Sequence, residues 1–305
     1  MKTIIPDYYP EFHCIADRCR HSCCIGWEID IDPDMRERYR HVPGPFGKRL
    51  NAAIEDGPET ACFRLGPDER CPMLNTTGLC DLITELGEDC LCQICADHPR
   101  FRSFFTDRTE LGLGLCCEEA ARLILTRETP MQLIPLEDDG AQEELPEDEA
   151  DLLALRGELI TLAQDGSRPL TDRLNALLTA VDFAIPVRDW QDVYRSLERL
   201  DPAWDSVLDS LEQINAEPPS ALSQALANFC AYLLYRHLPG ALEDDDIPGR
   251  VAFCVLSTRI LAALCAARPG CTMADCIDLA RMYSAEVEYS EDNLAALLDA
   301  LWEED

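Results

Sequence analysis

Basic residues are scarce in this 305-residue chain: 26 Lys and Arg stand against 58 Asp and Glu, a formal net charge of −32. A surface of that sign repels phosphate backbones and anionic headgroups, which argues against nucleic acid and membrane surfaces as partners. Aromatic residues are also few, at 7%. The stretch from Met1 to Asp7 lacks an apolar core of signal-peptide length. The longest apolar run, Val251 to Ala267, is interrupted by Ser257, Thr258 and Arg259 and falls short of the ~20 residues that span a bilayer. It is expected to be a buried helix, and the chain is expected in the cytoplasm. A dinucleotide-binding fingerprint is missing as well. Leu111 to Leu115 carries Gly112 and Gly114 but no third glycine and no strand–helix unit with an acid ~20 residues on.

What the chain has is cysteine. Of its 17 cysteines, 12 lie between Cys14 and Cys117. Without an export signal, a pattern this dense points to metal binding rather than to disulfides. Cys14, Cys19, Cys23 and Cys24 place four thiols within eleven residues, followed by Ile25-Gly26-Trp27. Gly26 lets the backbone approach closely, and Trp27 can wall the thiolates off from water. A second group runs through Cys71-Pro72-Met73-Leu74, Gly78-Leu79-Cys80 and Cys90-x-Cys92-x2-Cys95, and Cys116-Cys117 closes the region. Cys92 and Cys95 have knuckle spacing, but the second knuckle of a zinc ribbon is absent. Irregular spacing of many cysteines favours a 4Fe–4S cluster, with zinc as the alternative. The Cys-x3-Cys-x2-Cys loop of radical enzymes is excluded, because Gly26 stands where its third cysteine would follow Cys19 and Cys23. Cys230, Cys254, Cys265, Cys271 and Cys276 sit among Ala and Leu and read as packing residues.

The pattern predicts a mainly α protein: an irregular, cysteine-rich metal-binding part over 1–130, an acidic linker over 131–149 and an α-helical bundle over 150–305. Short helices are expected near 34–40, behind Asp32-Pro33, and near 118–129. Alternation at 28–32 and 111–115 permits short strands. Residues 135–149 hold eight acids and little that is apolar, which reads as a linker or a solvated loop. Beyond Ala150 the apolar residues recur at helical spacing, as in Leu152, Leu155, Leu159 and Leu162, then Leu174, Leu177, Leu178 and Val181. Further helices are predicted near 189–200, 203–214, 219–237, 248–267, 273–286 and 291–302.

Several spaced motifs, in this order, resemble the flagellin lysine-N-methylase family. They are Phe12-His13-Cys14, Cys19, Cys23-Cys24-Ile25-Gly26-Trp27, Cys71-Pro72-Met73-Leu74, Gly78-Leu79-Cys80, Glu85-Leu86-Gly87-Glu88, Cys95-Ala96-Asp97-His98-Pro99-Arg100-Phe101 and Cys117-Glu118-Glu119-Ala120-Ala121-Arg122. The likeness is close over about 8–127. The core also resembles the broader family of zinc- or iron-chelating cysteine domains. The methylase resemblance implies methyl transfer from S-adenosylmethionine to lysine side chains of flagellin, with an iron–sulfur cluster in the cysteine-rich part. The ligands it implies come from Cys14, Cys19, Cys23, Cys24, Cys71, Cys80, Cys95 and Cys117, more than one four-thiolate site requires. Cys90, Cys92, Cys116 and His98 depart from the family pattern.

Methyl transfer to lysine needs a neutral amine, and an ammonium with a pKa near ~10.4 must be deprotonated or desolvated first. Tyr8, Tyr9, Asp97 and His98 are the polar residues nearest the cysteine motifs, with capping or hydrogen bonding as their ordinary roles. Arg100 beside Phe101 suits a carboxylate, although pairing with one of the chain's many acids is the simpler reading. Two other classes compete: a non-catalytic iron–sulfur or zinc protein, and a redox protein that passes electrons through its cluster.

Overall fold

The computed structural model describes residues 2–58, 60–140, 144–211, 213–214 and 216–303. In chain order it contains β1 (Lys2–Pro6), β2 (Asp30–Ile31), α1 (Pro33–Arg40), α2 (Gly44–Ala52), β3 (Ile54–Asp56), β4 (Ala61–Phe63), α3 (Asp81–Leu86), α4 (Gln93–Asp97), β5 (Arg100–Phe104), β6 (Arg108–Leu113), α5 (Glu118–Leu125) and β7 (Leu133–Asp138). Helices follow from there: α6 (Glu147–Ala163), α7 (Leu170–Ala180), α8 (Trp190–Ser196), α9 (Ala203–Leu208), α10 (Ser223–His237), α11 (Ala241–Asp244), α12 (Ile247–Ala266), α13 (Met273–Tyr283) and α14 (Glu291–Trp302). A π-helical turn, Ser284–Glu288, continues α13. The protein is thus mainly helical, with a small share of sheet.

The chain packs as two compact units, Met1–Phe12 with Arg102–Asp305, and His13–Phe101. This division differs from a boundary at residue 130 followed by a linker. The reason is β1, which pairs in parallel with β6 (Lys2 opposite Arg108) and antiparallel with β7 (Pro6 opposite Leu133). Its sheet has the order β5–β6–β1–β7. The first residues and the 102–130 region therefore belong with the helices, and part of the expected linker is a paired strand. Residues 141–143 of that expected linker lie outside the described residues.

In the larger unit, α12 is the central helix and packs against α7, α10, α13 and α14. Asp246 caps it by accepting the Gly249 amide at 2.8 Å, and Pro248 occupies its first turn. Val251 to Leu256 and Ile260 to Leu261 are buried on every face, as a helix apolar all round must be. Among the described residues it is the helix long and apolar enough to cross a membrane, and its burial within the bundle explains that composition. Of the expected α6 stripe, Leu152 and Leu159 are buried, while Leu155 and Leu162 are half-buried. Several predicted helices end early. The one expected over 118–129 stops at Leu125, and those near 189–200 and 203–214 stop at Ser196 and Leu208.

The smaller unit is built around the sheet β2–β4–β3 (Asp30 opposite Cys62, Ile54 opposite Phe63). Its core gathers Ile29, Ile31, Tyr39, Leu50, Phe63 and Met73 together with Cys71 and Cys92. Asp32 caps α1 by accepting the Met35 amide at 3.0 Å, with Pro33 in the first turn, as the sequence signal predicts.

Truncating a fully buried α12 side chain tests this packing. Leu261→Ala is expected to destabilise the larger unit by ~2–5 kcal/mol, read as a lower urea midpoint. An unchanged midpoint would contradict the burial of that helix.

Candidate functional site

In the smaller unit, short backbone links bring separate cysteine motifs together. The Cys71 amide donates to the Cys24 carbonyl at 2.9 Å, and Ile25 forms a bridge with Arg70. Gly26, at φ +95°, donates to the Glu69 carbonyl at 3.2 Å, the left-handed backbone that favours glycine. The Trp27 indole donates to the Cys23 carbonyl. Next, Asn75 organises a turn by accepting from the amides of Thr77 and Leu79 at 2.9 and 3.0 Å. Leu74 and Cys80 face each other across it. Cys92 precedes α4, and its Sγ lies 3.4 Å from that of Cys95.

These thiols sense one another. A hydrogen bond from the Cys23 thiol lowers Cys24 to about 7, against the opposing effect of burial. Burial pushes Cys71 up to about 12 and also raises Cys80, with Cys24 contributing to both shifts. The thiol–thiol hydrogen bond lowers Cys92 and raises Cys95, which also feels Cys24 and Cys71. Of the eight ligand candidates, Cys24, Cys71, Cys80 and Cys95 thus stand in one neighbourhood, and Cys92 joins them. Cys23 reaches it through Cys24, while Cys14 is exposed and Cys19 half-buried on either side of the turn Ala16–Arg18. Cys117 belongs to the larger unit, at the start of α5. The donor set is sulfur-rich and of the kind that selects thiophilic metals. Among the described residues, however, no three Cys, His, Asp or Glu side chains come together as a metal-holding group.

The larger unit contains a buried polar network that sequence reading missed. Glu288 Oε2 accepts from Tyr232 at 2.9 Å and lies 2.6 Å from His237 Nε2. Arg236 donates to Tyr232 at 2.8 Å and lies over the Tyr289 ring at 4.7 Å. Burial raises the Glu288 carboxyl, but the charge of Arg236 and the His237 hydrogen bond outweigh it and hold the group below its usual range. Burial lowers His237 more than Glu288 raises it. The pair is therefore a carboxylate beside a neutral imidazole, with the proton on Nε2. At the outer edge, Tyr289 contacts the Cys116 thiol, which burial pushes up to about 12. The only sequence signals here were Cys116 and the Gly112–Gly114 segment. The π-helical turn that delivers Glu288 has no sequence signature, although such turns concentrate at functional sites.

Other candidates have ordinary surroundings. Tyr8 is buried, its pKa raised chiefly by that burial, with Arg127 over its ring at 5.6 Å. Tyr9 begins a 3-10 turn. Asp97 accepts from Gln93 at 2.8 Å. Burial lowers His98 to about 4, and its ring is 5.9 Å from that of Trp27. Arg100 donates to the Ala96 carbonyl at 3.1 Å.

With this geometry in view, comparison with known proteins gives a partial match. The chain is 25% identical over 140 residues to a lysine-N-methylase of Salmonella typhimurium, covering 42% of this chain and 33% of that protein. It is 24% identical over 140 residues to the flagellar biosynthetic protein FliU of Salmonella muenchen, covering 42% of this chain and 79% of the relative. Over this part, the chain is similar to lysine-N-methylases. The match spans about a third of the length of the methylases. No protein-family model matches, and no solved structure matches.

The buried pair predicts a pH effect. Both folded-state pKa values lie below their ordinary ones, so the unfolded chain binds more protons as pH falls. The stability they contribute is complete above about pH 6.5 and is lost first through His237, then below about 4.5 through Glu288. Urea midpoints between pH 7 and 4 are expected to fall, and less steeply in His237→Gln. Identical slopes would remove His237 from the effect. A second expectation concerns Gly114, where an added Cβ would lie 2.0 Å from the Tyr289 hydroxyl. Gly114→Ala should expel that ring and lower the melting temperature, with Tyr289→Ala relieving the clash.

Proposed function

We propose that this protein is a lysine N-methyltransferase that takes its methyl group from S-adenosylmethionine and acts on flagellin in the cytoplasm. The observation that carries this reading is the similarity to the Salmonella lysine-N-methylases, and the flagellar name of a second relative supports the choice of substrate. With it goes a metal in the cysteine-rich unit, as a 4Fe–4S cluster or as zinc, held by ligands drawn from Cys14, Cys19, Cys23, Cys24, Cys71, Cys80 and Cys95; Cys117, the eighth candidate, lies in the larger unit. Such a group would supply structural or redox chemistry there.

The reaction has one requirement that the chain's own residues address. The substrate amine must lose a proton before it attacks the sulfonium methyl, and the proton needs an acceptor. In the larger unit, Glu288 is an ionised carboxylate hydrogen-bonded to a neutral imidazole. Tyr232 and Arg236 connect this pair towards Tyr289 and Cys116. It is a buried acid–base pair of the kind that holds a transferred proton away from solvent.

The test is incubation of the purified full chain with flagellin and isotopically labelled S-adenosylmethionine, followed by peptide mass analysis. Methyl groups are expected on flagellin lysines, and Glu288→Gln, if folded, should lower the rate by roughly 100-fold or more. Unmodified flagellin with active cofactor and metal-replete protein would refute the activity. Full activity in Glu288→Gln would refute the role given to that pair. A non-catalytic or electron-carrying role is favoured by the close thiols of Cys92 and Cys95, and would appear as metal or redox behaviour with no methyl transfer.

A further inference from the structure

We propose that the groove between α6 and the corner joining α11 to α12 is a docking surface for a lysine-bearing amphipathic helix of a protein partner. The groove encloses about 520 Å³, and its floor includes Leu152, Leu155, Leu242 and Ile247. Leu152 is buried, while the other three keep part of their surface open to solvent. Four exposed carboxylates, Asp148, Asp151, Glu158 and Asp245, stand around that floor. An apolar floor with a rim of one sign is complementary to a helix that carries leucine-like residues on one face and cations beside them. A lysine suits it well, because its long apolar stem lies over the floor while its ammonium reaches the rim.

Helical geometry produces this arrangement. Residues 148, 151, 155 and 158 recur at three- and four-residue spacing, so they share one face of α6. The adjoining face carries Leu152, Arg156, Leu159 and Ile160 into the core, where α6 packs on α7 and α10. Asp148 lies in the first turn of α6, where a helix N-terminus favours an acid. Glu158 lies well beyond that turn and Asp245 follows the last residue of α11, so neither has that explanation. The chain's own cations do not neutralise this rim. Arg156 of α6 pairs with Glu110 at 2.8 Å, and Arg250 of α12 pairs with Asp244 at 2.8 Å. Among the described residues, none of the four rim carboxylates is in an ion pair. They also do not converge on one point, since no three such side chains of the described residues come together to hold a metal. Asp148 and Glu158 are ~15 Å apart along the axis of α6, a separation matched by spaced lysines and not by one ion. The docking surface rests on the function proposed above, in which the substrate is a lysine-bearing protein, but docking itself needs no cofactor.

The probe is a fluorescein-labelled helical peptide of about 18 residues, with leucine on one face and lysine on the other. Its anisotropy is compared with that of a shuffled peptide of the same composition. The full chain is used without cofactor, so a lack of methyl transfer cannot be mistaken for a lack of docking. Saturable binding is expected, about tenfold or more tighter than for the shuffled peptide. A water-soluble carbodiimide then joins peptide lysines to protein carboxylates, each new amide releasing one urea, and mass spectrometry maps the links. In the wild-type chain they are expected at Asp148, Asp151, Glu158 or Asp245. Asp151→Lys with Glu158→Lys should weaken binding about tenfold or more. Glu291→Lys with Asp292→Lys, an equal charge change on α14, should alter it less than about twofold. All four substituted positions are exposed, so neither pair disturbs the core. No saturable binding, links confined to other carboxylates, equal binding of the shuffled peptide or equal weakening by both pairs overturns the proposal. Flagellin that stays unmethylated while the peptide docks in the groove overturns the enzymatic reading and leaves the docking surface standing.

Discussion

The pairing of the N-terminal strand governs how this chain is organised. Because β1 lies between β6 and β7, residues at the very start are held by strands more than a hundred positions away. The cysteine-rich segment is consequently an insertion between two parts of one unit, with both of its ends set by that unit. Its own core gathers ten buried apolar side chains with Cys71 and Cys92.

The elements legible in the sequence were those with strong local signals. The apolar repeats of α6 and α7, the cap Asp32-Pro33 and the long apolar α12 all follow from helical periodicity and first-turn chemistry. The strand β7 was not legible. Leu133 to Asp138 is largely exposed and lies at the margin of its sheet, so it shows no alternation, and its acids resemble a linker. Its partner β1 is recognised by nonlocal pairing, which periodicity does not encode.

The same contrast holds for the sites. Individual cysteines were evident, but their spacing did not reveal that Cys92 contacts Cys95 or that Cys117 falls in the larger unit. Backbone links such as Cys71 to Cys24 determine those neighbourhoods. His237 and Glu288 are separated by 51 positions and look ordinary in isolation. Only the packing of α10 against the π-helical turn makes them a buried carboxylate–imidazole pair. Burial raises the carboxyl, and Arg236 with His237 outweighs that effect and holds it below its usual range. A buried network of this kind is costly unless its partners are in place, which makes it a sensitive point of the larger unit.

The claim that the methyl group comes from a sulfonium cofactor is tested by equilibrium binding of S-adenosylmethionine. Calorimetry on the full chain, in metal-replete and metal-free forms, is predicted to show one saturable site, with S-adenosylhomocysteine competing for it. The absence of saturable binding in both forms would contradict the claim.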